Sequence, residues 1–238
     1  SQMMFICGGM TNVDSCESDQ ETAFLCNRDA PARLARAARE NGVKTVYFST
    51  EYVFGADCAD GPFSEDDLTG PLNVYGRSKL AGESAVMEED HQALVIRTTT
   101  VFGPEALGKN FAYQVKRAVV EGTPIKVAKD QVSNPTYNRD LARAAVALTD
   151  AGVAGVVNVV GRDWIDRADF GRRLITALGG DTSIIDAIAT EPTSLRARRP
   201  LVAGLKTDKL NRLLPNISMA SVSQSLEHWR RNQRAIPF

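Results

Sequence analysis

The chain has 238 residues and a mass of 25.8 kDa, with 43% hydrophobic and 24% charged residues, which excludes collagen-like, low-complexity and disordered proteins. Lys and Arg number 28 against 29 Asp and Glu, and the charges are interleaved along the chain, so we expect no nucleic-acid partner. No apolar run approaches the roughly 18 residues that cross a bilayer, so we expect a cytoplasmic protein without a membrane partner.

Short apolar runs rich in β-branched residues alternate with helical patterns through most of the chain. In chain order we predict a strand over 3–7, a helix over 20–41 with a kink at Pro31, a strand over 45–49, a loop over 51–72, a helix over 75–89, a strand over 93–97, a helix over 110–121, a short strand over 125–127, a helix over 139–150, a strand over 155–160, and helices over 167–178, 207–214 and 219–233. This alternation is typical of an α/β fold in which crossover helices join parallel strands. We expect a main domain over 1–160 and a smaller portion over 161–238, with segments that cross between the two.

The cysteines and histidines give little support to metal chemistry. Cys7, Cys16, Cys26 and Cys58 form no CxxC pair and lie near no histidine in the sequence. We therefore expect buried thiols and no metal site.

Two hydroxyl residues, Ser49 and Thr50, stand at the end of the predicted strand 45–49, where a parallel sheet borders its ligand crevice. Tyr75 and Lys79, four residues apart, share one face of the next helix. An ammonium group within a few ångströms favours the phenolate and lowers the pKa of a tyrosine from about 10. Such a set predicts a site that holds a ketone through a hydroxyl while a cofactor supplies hydride and the tyrosine supplies the proton.

Several motifs at the right intervals make the sequence similar to the extended short-chain dehydrogenase/reductases, in the branch of the dTDP-4-dehydrorhamnose reductases. The β regulatory subunit of methionine adenosyltransferase belongs to the same branch. The resemblance runs from about Phe5 to Trp229 and is carried by MTNVD (10–14), STEYVF (49–54), PLNVYGRSK (71–79), RT (97–98), SNPTY (133–137), RP (199–200) and LKTDKL (205–210). It implies a Rossmann-like parallel sheet, a cofactor-binding and catalytic domain over 1–160, a substrate-binding portion over 161–238, and NADP or NAD as cofactor.

The resemblance also implies catalytic and cofactor-binding roles for single residues. Tyr75 would be the proton donor, Lys79 would lower its pKa and hold the nicotinamide ribose, and Thr50 would orient the carbonyl, with Ser49 as its substitute. The segment Cys7-Gly8-Gly9 would line the cofactor.

Four further residues would belong to the sugar-nucleotide side. Glu51 and Tyr52 would face the substrate, although the family more often has Asp at the position of Glu51, and Ser133 would lie in a substrate-side loop. Arg199 would bind a phosphate through its guanidinium group, or would be a solvated charge in a basic run with Arg196 and Arg198. For Glu51 the alternative is a carboxylate on the protein surface.

The sequence contains no GxxGxxG turn of the kind that holds a cofactor pyrophosphate, because Gly8-Gly9 is followed by Met-Thr-Asn-Val. The resemblance begins at what would be the fourth strand, so the sheet is expected to be incomplete at its N-terminal half. We expect a fragment of a longer protein rather than a natural truncation, since an uncovered apolar edge strand invites aggregation or pairing. A homodimer or a partner chain could cover that edge.

Three functions follow from these observations. The first is an NAD(P)H-dependent reductase of a 4-keto-6-deoxy sugar nucleotide. The second is a non-catalytic, NADP-binding regulatory subunit, and the third is an inactive fragment that lacks the dinucleotide-binding half.

Overall fold

A four-stranded parallel sheet forms the centre of the protein, whose computed structural model describes residues 2–55, 60–190 and 197–232. The strands are β1 (Met3–Ile6), β2 (Lys44–Thr50), β3 (Leu94–Thr98), β4 (Val101–Phe102), β5 (Ile125–Ala128), β6 (Val132–Ser133), β7 (Thr136–Tyr137), β8 (Gly155–Asn158), β9 (Ile165–Asp166) and β10 (Ile185–Ile188). The helices are α1 (Val13–Ser18), α2 (Gln20–Phe24), α3 (Ala30–Glu40), α4 (Val74–Glu89), α5 (Phe111–Glu121), α6 (Asn138–Asp150), α7 (Arg167–Ala177), α8 (Asp208–Leu213) and α9 (Val222–Arg231). None of these helices has the length and apolar character needed to span a bilayer.

The central sheet has the order β1-β2-β3-β8, with every neighbouring pair parallel. The register pairs Phe5 with Val46, and Thr50 with Thr98. The expected α/β fold with a Rossmann-like parallel sheet is thereby confirmed. The smaller strand pairs β5-β10, β4-β7 and β6-β9 were largely absent from the sequence prediction, because strands of two to four residues leave almost no periodic signal.

The predicted helix over 20–41 is divided in the structure, with a π-helical turn over Leu25–Asp29 between α2 and α3. Pro31 stands in the first turn of α3, where its missing N–H is tolerated, but its ring cannot approach the carbonyl of Asn27 four residues earlier. That carbonyl instead accepts a hydrogen bond of 2.7 Å from the hydroxyl of Tyr47 on β2. The proline thus releases a backbone acceptor that attaches this helical segment to the sheet.

Two apolar clusters cover the faces of the sheet. On one face Val46, Leu94 and Ile96 pack with helices α6 and α8, and on the other Tyr47 and Val95 pack with α3 and α4. The alternation along each strand places successive residues on opposite faces, so both faces are buried, as expected for a parallel sheet with helices on each side.

A separate aromatic core lies in the C-terminal part of the protein. Phe102, Phe111 and Tyr137 pack there with Phe170 and Trp229. Residues from both sides of position 160 therefore build one core.

Candidate active site

Thr50 and Tyr75 meet at the carboxyl edge of the sheet. Thr50 is the last residue of β2, Tyr75 lies in the first turn of α4, and their hydroxyl groups are hydrogen-bonded. Asn73 caps α4 by accepting the N–H of Gly76 at 2.8 Å. A Cβ atom at position 76 would stand 2.1 Å from the carbonyl oxygen of Tyr52, so glycine allows the helix start to lie directly against the turn that follows β2.

The expected acidification of Tyr75 by Lys79 is not found in this structure. Burial raises the pKa of Tyr75 above its ordinary value of 10, and the hydrogen bond with Thr50 opposes that rise without cancelling it. The Lys79 ammonium is directed elsewhere: it donates a hydrogen bond of 2.6 Å to the carbonyl of Phe48 and lies 4.0 Å from the centre of the Tyr47 ring. Tyr75 and Lys79 share one face of the helix, as predicted from the sequence. The Lys79 ammonium nevertheless binds the Phe48 carbonyl and not the Tyr75 hydroxyl.

Lys79 itself is buried at 6% exposure. Burial lowers its pKa from 10.5 to about 8, although the negative charge of Glu83 raises it in part. The Phe48 carbonyl takes one of its three N–H bonds, and no second acceptor for them lies within the described residues. The remaining donors therefore fit a hydroxyl-bearing ligand such as a ribose.

The Ser49 hydroxyl is bound to a residue of the neighbouring helix. Its side chain is 5% exposed, and its hydroxyl donates a hydrogen bond to the carboxylate of Glu83 on α4. Side chains alternate along β2, so Ser49 and Thr50 point in different directions, and the substitution of Ser49 for Thr50 stays a prediction.

The segment Cys7-Gly8-Gly9 leaves the end of β1 and is exposed. A Cβ atom at Gly8 would meet nothing within 4 Å, whereas one at Gly9 would lie 2.7 Å from the side-chain oxygen of Asn27. The amide of Asn27 also fixes this turn by pairing with the backbone of Met10 in both directions, at 2.9 Å each. The segment is therefore an open, held turn beside the sheet edge, where a flat ligand has room.

The cysteines differ from the expected set of buried thiols. Cys16 is buried and Cys26 is partly buried, but Cys7 is exposed because the chain leaves the sheet at that point. Cys58 lies outside the described residues. No group of three or more potential metal-binding His, Cys, Asp or Glu side chains occurs among the residues that the structure describes.

Glu51 is buried at 4% exposure, so the alternative of a surface carboxylate is wrong. Its carboxylate accepts the hydroxyl of Thr99 and the backbone N–H of Gly204, the latter at 2.8 Å. Burial raises the pKa of Glu51 to about 7, and these two hydrogen bonds keep it from rising further. Glu51 joins the end of β2 to the C-terminal segment over 197–206.

A small cleft opens beside this carboxylate. Glu51, Tyr52 and Ser133, three of the predicted substrate-side residues, lie in its wall, and the remaining lining residues are Thr100, Gln131, Val132, Pro135, Ile165, Asp166, Arg167, Phe170 and Pro200. The Ser133 hydroxyl is 2.9 Å from that of Thr100, a residue with the unusual positive φ of 41°.

Arg167 is the residue of this cleft that the sequence did not reveal. It begins α7, and its guanidinium group lies 4.2 Å from the centre of the Phe111 ring. Burial lowers the pKa of Arg167, whereas the nearby Tyr52 hydroxyl raises it. The guanidinium group therefore brings a positive charge into the neighbourhood of that phenol. The sequence predicts a helix that begins at Arg167, but nothing in that pattern indicates that the arginine lies in a cleft.

Arg199 is not the solvated charge that one alternative predicted, because its side chain is only 23% exposed. It pairs with Asp14 at 3.0 Å and forms a hydrogen bond with Tyr52. Arg196, the first member of the basic run, lies outside the described residues. The guanidinium groups of Arg167 and Arg199 thus both lie near the Tyr52 hydroxyl at the edge of the cleft.

Fold and site together define a Rossmann-like α/β protein with a hydrogen-bonded Thr–Tyr pair, a buried lysine and an arginine-lined cleft at one edge of the sheet. The chain belongs to the family described as the RmlD substrate binding domain, whose model matches residues 1–232. The resemblance proposed from the sequence is confirmed at this level.

Two curated relatives and one solved structure illustrate the likeness. The chain is 35% identical over 205 residues to the dTDP-4-dehydrorhamnose reductase of Mycolicibacterium smegmatis, covering 85% of this chain and 62% of that protein. It is 32% identical over 228 residues to the dTDP-4-dehydrorhamnose reductase of Mycobacterium tuberculosis, covering 94% of this chain and 72% of that protein. A crystal structure of dTDP-4-dehydrorhamnose reductase from Bacillus anthracis in complex with NADP superimposes with a TM-score of 0.88 at 27% identity, over 97% of this chain and 80% of that one.

Proposed function

We propose that the protein is an NAD(P)H-dependent reductase of the short-chain dehydrogenase/reductase type, acting on a 4-keto-6-deoxy sugar nucleotide such as dTDP-4-dehydrorhamnose. The observation that carries this proposal is the hydrogen-bonded Thr50–Tyr75 pair at the carboxyl edge of a parallel sheet. The relatives named as dTDP-4-dehydrorhamnose reductases support the substrate class, although the chain spans less than two thirds of the first of them. The cytoplasm stays the expected location.

Tyr75 and Thr50 have different roles at the ketone oxygen. Thr50 donates a hydrogen bond to the substrate oxygen or to the Tyr75 phenol, and Tyr75 gives its proton to the oxygen as the ketone becomes an alcohol. Because Tyr75 has a raised pKa, it is protonated at neutral pH and has a proton to give.

A reduced nicotinamide nucleotide would supply the hydride when bound. The residues present fit its nicotinamide end: Lys79 has N–H donors to spare for ribose hydroxyls, and the open turn at Gly8 leaves space beside β1. Cys7 and Gly9 complete that turn.

The cleft has the character of a sugar-nucleotide site. Tyr52 and Ser133 offer hydroxyl groups to a sugar, and Arg167 and Arg199 provide the positive charge that phosphate oxygens favour. Glu51 is buried in the wall of the cleft, so its contribution to the substrate is through the shape of the cleft.

The test is oxidation of NADPH or NADH with dTDP-4-keto-6-deoxy sugars, comparing the protein with Tyr75→Phe and Tyr113→Phe. Tyr113 lies away from the site in the aromatic core, so its variant should retain turnover while Tyr75→Phe loses it. Retained turnover in Tyr75→Phe would refute the proposal. Stoichiometric capture of an enzyme partner with no oxidation by any sugar nucleotide would favour the regulatory subunit instead, and absence of NADPH binding in calorimetry would favour an inactive fragment.

We also propose that a second copy or a partner chain pairs with β1. Within the described residues β1 has a neighbour on one side only, so its other side presents unpaired backbone groups. Light scattering on the purified protein tests pairing with a second copy, and a monomer at all concentrations would contradict that pairing.

A further inference from the structure

A buried ion pair joins α4, the helix that carries Tyr75, to β3. Glu83 on α4 and Arg97 on β3 have side chains that are 2% and 5% exposed. Arg97 binds both carboxylate oxygens, through Nε at 2.9 Å and Nη2 at 2.7 Å. This two-point geometry holds the carboxylate in a fixed orientation.

The carboxylate has two further neighbours, and both belong to the candidate active site. The hydroxyl of Ser49, the residue before Thr50, donates to Glu83, and Lys79 lies one helical turn before Glu83 on α4. Lys79 in turn donates to the carbonyl of Phe48, the residue before Ser49. Glu83 and Lys79 therefore attach Phe48 and Ser49, near the end of β2, to the helix that carries Tyr75.

The charges around Lys79 are few. Tyr47 on β2 and Tyr75 on α4 have raised pKa values and are neutral near pH 8, while the positive charge of Arg97 is bound to Glu83. Glu83 is the charged group that favours the Lys79 ammonium against the effect of burial.

We propose that Glu83 is a positioning residue for the reaction: held by Arg97, its carboxylate fixes Ser49 at the end of β2 and stands one helical turn from the buried Lys79 amine as its counter-charge. The reaction in question is the reductase activity proposed above, and the inference depends on it for its catalytic meaning. The electrostatic influence of Glu83 on Lys79 is also measurable without catalysis.

The experiment follows the side-chain Cε signals of ¹³C-labelled lysine by NMR as a function of pH, with Lys79→Met to assign the signal of Lys79. In Glu83→Gln, which keeps the shape and removes the charge, we expect the Lys79 midpoint to fall by about one pH unit. Glu83→Asp, which keeps the charge, should fall less. Glu89→Gln is the matched control, because Glu89 is also on α4 and forms an ion pair with Arg36, but near the surface; its Lys79 midpoint should be unchanged.

The loss of one partner could prevent folding, since an unpaired charge on Arg97 would be buried. The double variant Glu83→Leu with Arg97→Met replaces both charges by apolar groups of similar size and should fold, and its Lys79 midpoint should fall, but by less than in Glu83→Gln, because the positive charge of Arg97 is removed as well. An unchanged midpoint in either folded variant would overturn the proposal.

Turnover supplies the second readout. In Glu83→Gln the alkaline limit of kcat should move down by the same interval as the Lys79 midpoint, while KM for the sugar nucleotide changes less than about threefold. If kcat of Glu83→Gln falls by the same factor at every pH and its alkaline limit does not move, the role of Glu83 is merely structural and the proposal is contradicted. If the unaltered protein reduces no sugar nucleotide, the proposed function fails, while the NMR titration still decides whether Glu83 holds the charge of Lys79.

Discussion

The rings of Tyr52 and Tyr75 meet edge to face, with centroids 5.7 Å apart and planes at 76°. Tyr52 lies in the wall of the cleft, and Tyr75 is hydrogen-bonded to Thr50 at the sheet edge. The contact therefore joins the residues that would hold the sugar nucleotide to the residue that would deliver a proton. Aromatic pairs of this geometry favour one relative orientation, which keeps the two hydroxyl groups at a fixed separation.

Gly76 should tolerate no larger residue. In Gly76→Ala the new Cβ would overlap the Tyr52 carbonyl oxygen, so α4 would have to move and take Tyr75 away from Thr50. We expect a loss of about 3 kcal/mol in the free energy of unfolding, together with most of the activity. Urea unfolding measures the first quantity. Gly8→Ala is the control, because its Cβ meets open space and should change stability by less than about 0.5 kcal/mol.

The pKa of Glu51 makes stability depend on pH in the acid range. Its folded pKa of about 7 exceeds the ordinary value of 4.5, so the unfolded chain loses this proton first and stability falls as pH rises from 4.5 to 7. At about 1.4 kcal/mol for each pH unit between the two values, the whole loss is about 3.4 kcal/mol, of which about 2.5 kcal/mol falls between pH 5 and pH 8. Urea unfolding at pH 5 and pH 8 should show this difference between the unaltered protein and Glu51→Gln. An equal pH dependence in both would contradict the assignment.

Lys79 predicts the opposite trend at alkaline pH. Its folded pKa of about 8 lies below the ordinary 10.5, so between these values the unfolded chain binds more protons and stability rises with pH. The gain attributable to Lys79 is on the order of 2 to 3 kcal/mol between pH 8 and pH 10. It is measured as the difference between the unaltered protein and Lys79→Met in denaturant titrations. If the stability difference between the two proteins does not change from pH 8 to pH 10, burial does not lower the pKa of Lys79 as described.

Arg167 should contribute to binding rather than to the chemical step. Removing its guanidinium group in Arg167→Met takes away a charged hydrogen-bond donor from the cleft, so we expect KM for the sugar nucleotide to rise about tenfold or more with kcat changed less than threefold. Arg172→Met is the control, because Arg172 is on the same helix but exposed and away from the cleft. Steady-state kinetics distinguish the two, and an equal effect of both variants would contradict this role.

The order of the main elements and the meeting of Thr50 with Tyr75 could be predicted from the sequence. Parallel strands end at one edge, so a hydroxyl at the end of β2 and a tyrosine at the start of the next helix have to lie close together. The direction of a side chain at that edge could not be predicted in the same way. Lys79 shares a helix face with Tyr75, yet the carbonyl of Phe48 and the ring of Tyr47 determine where its ammonium lies.

The sequence also did not predict the residues whose roles depend on tertiary contacts. Glu83 looks like an ordinary polar helix residue, and its burial becomes visible only when Arg97 on the neighbouring strand is placed against it. Arg167 reaches the cleft because α7 begins beside the segment that contains Gln131, whose backbone carbonyl accepts the N–H of Arg167 at 2.9 Å. Neither pairing has a fixed interval in the sequence, so no spacing rule predicts it.

The aromatic core formed by Phe102, Phe111, Tyr137, Phe170 and Trp229 has a consequence for how the protein can be dissected. Expressing 1–160 and 161–238 as separate polypeptides would leave large rings of each piece facing water, because each piece holds only part of the set. The two pieces should therefore be insoluble when made alone and regain structure when made together, which would turn this boundary into a complementation point.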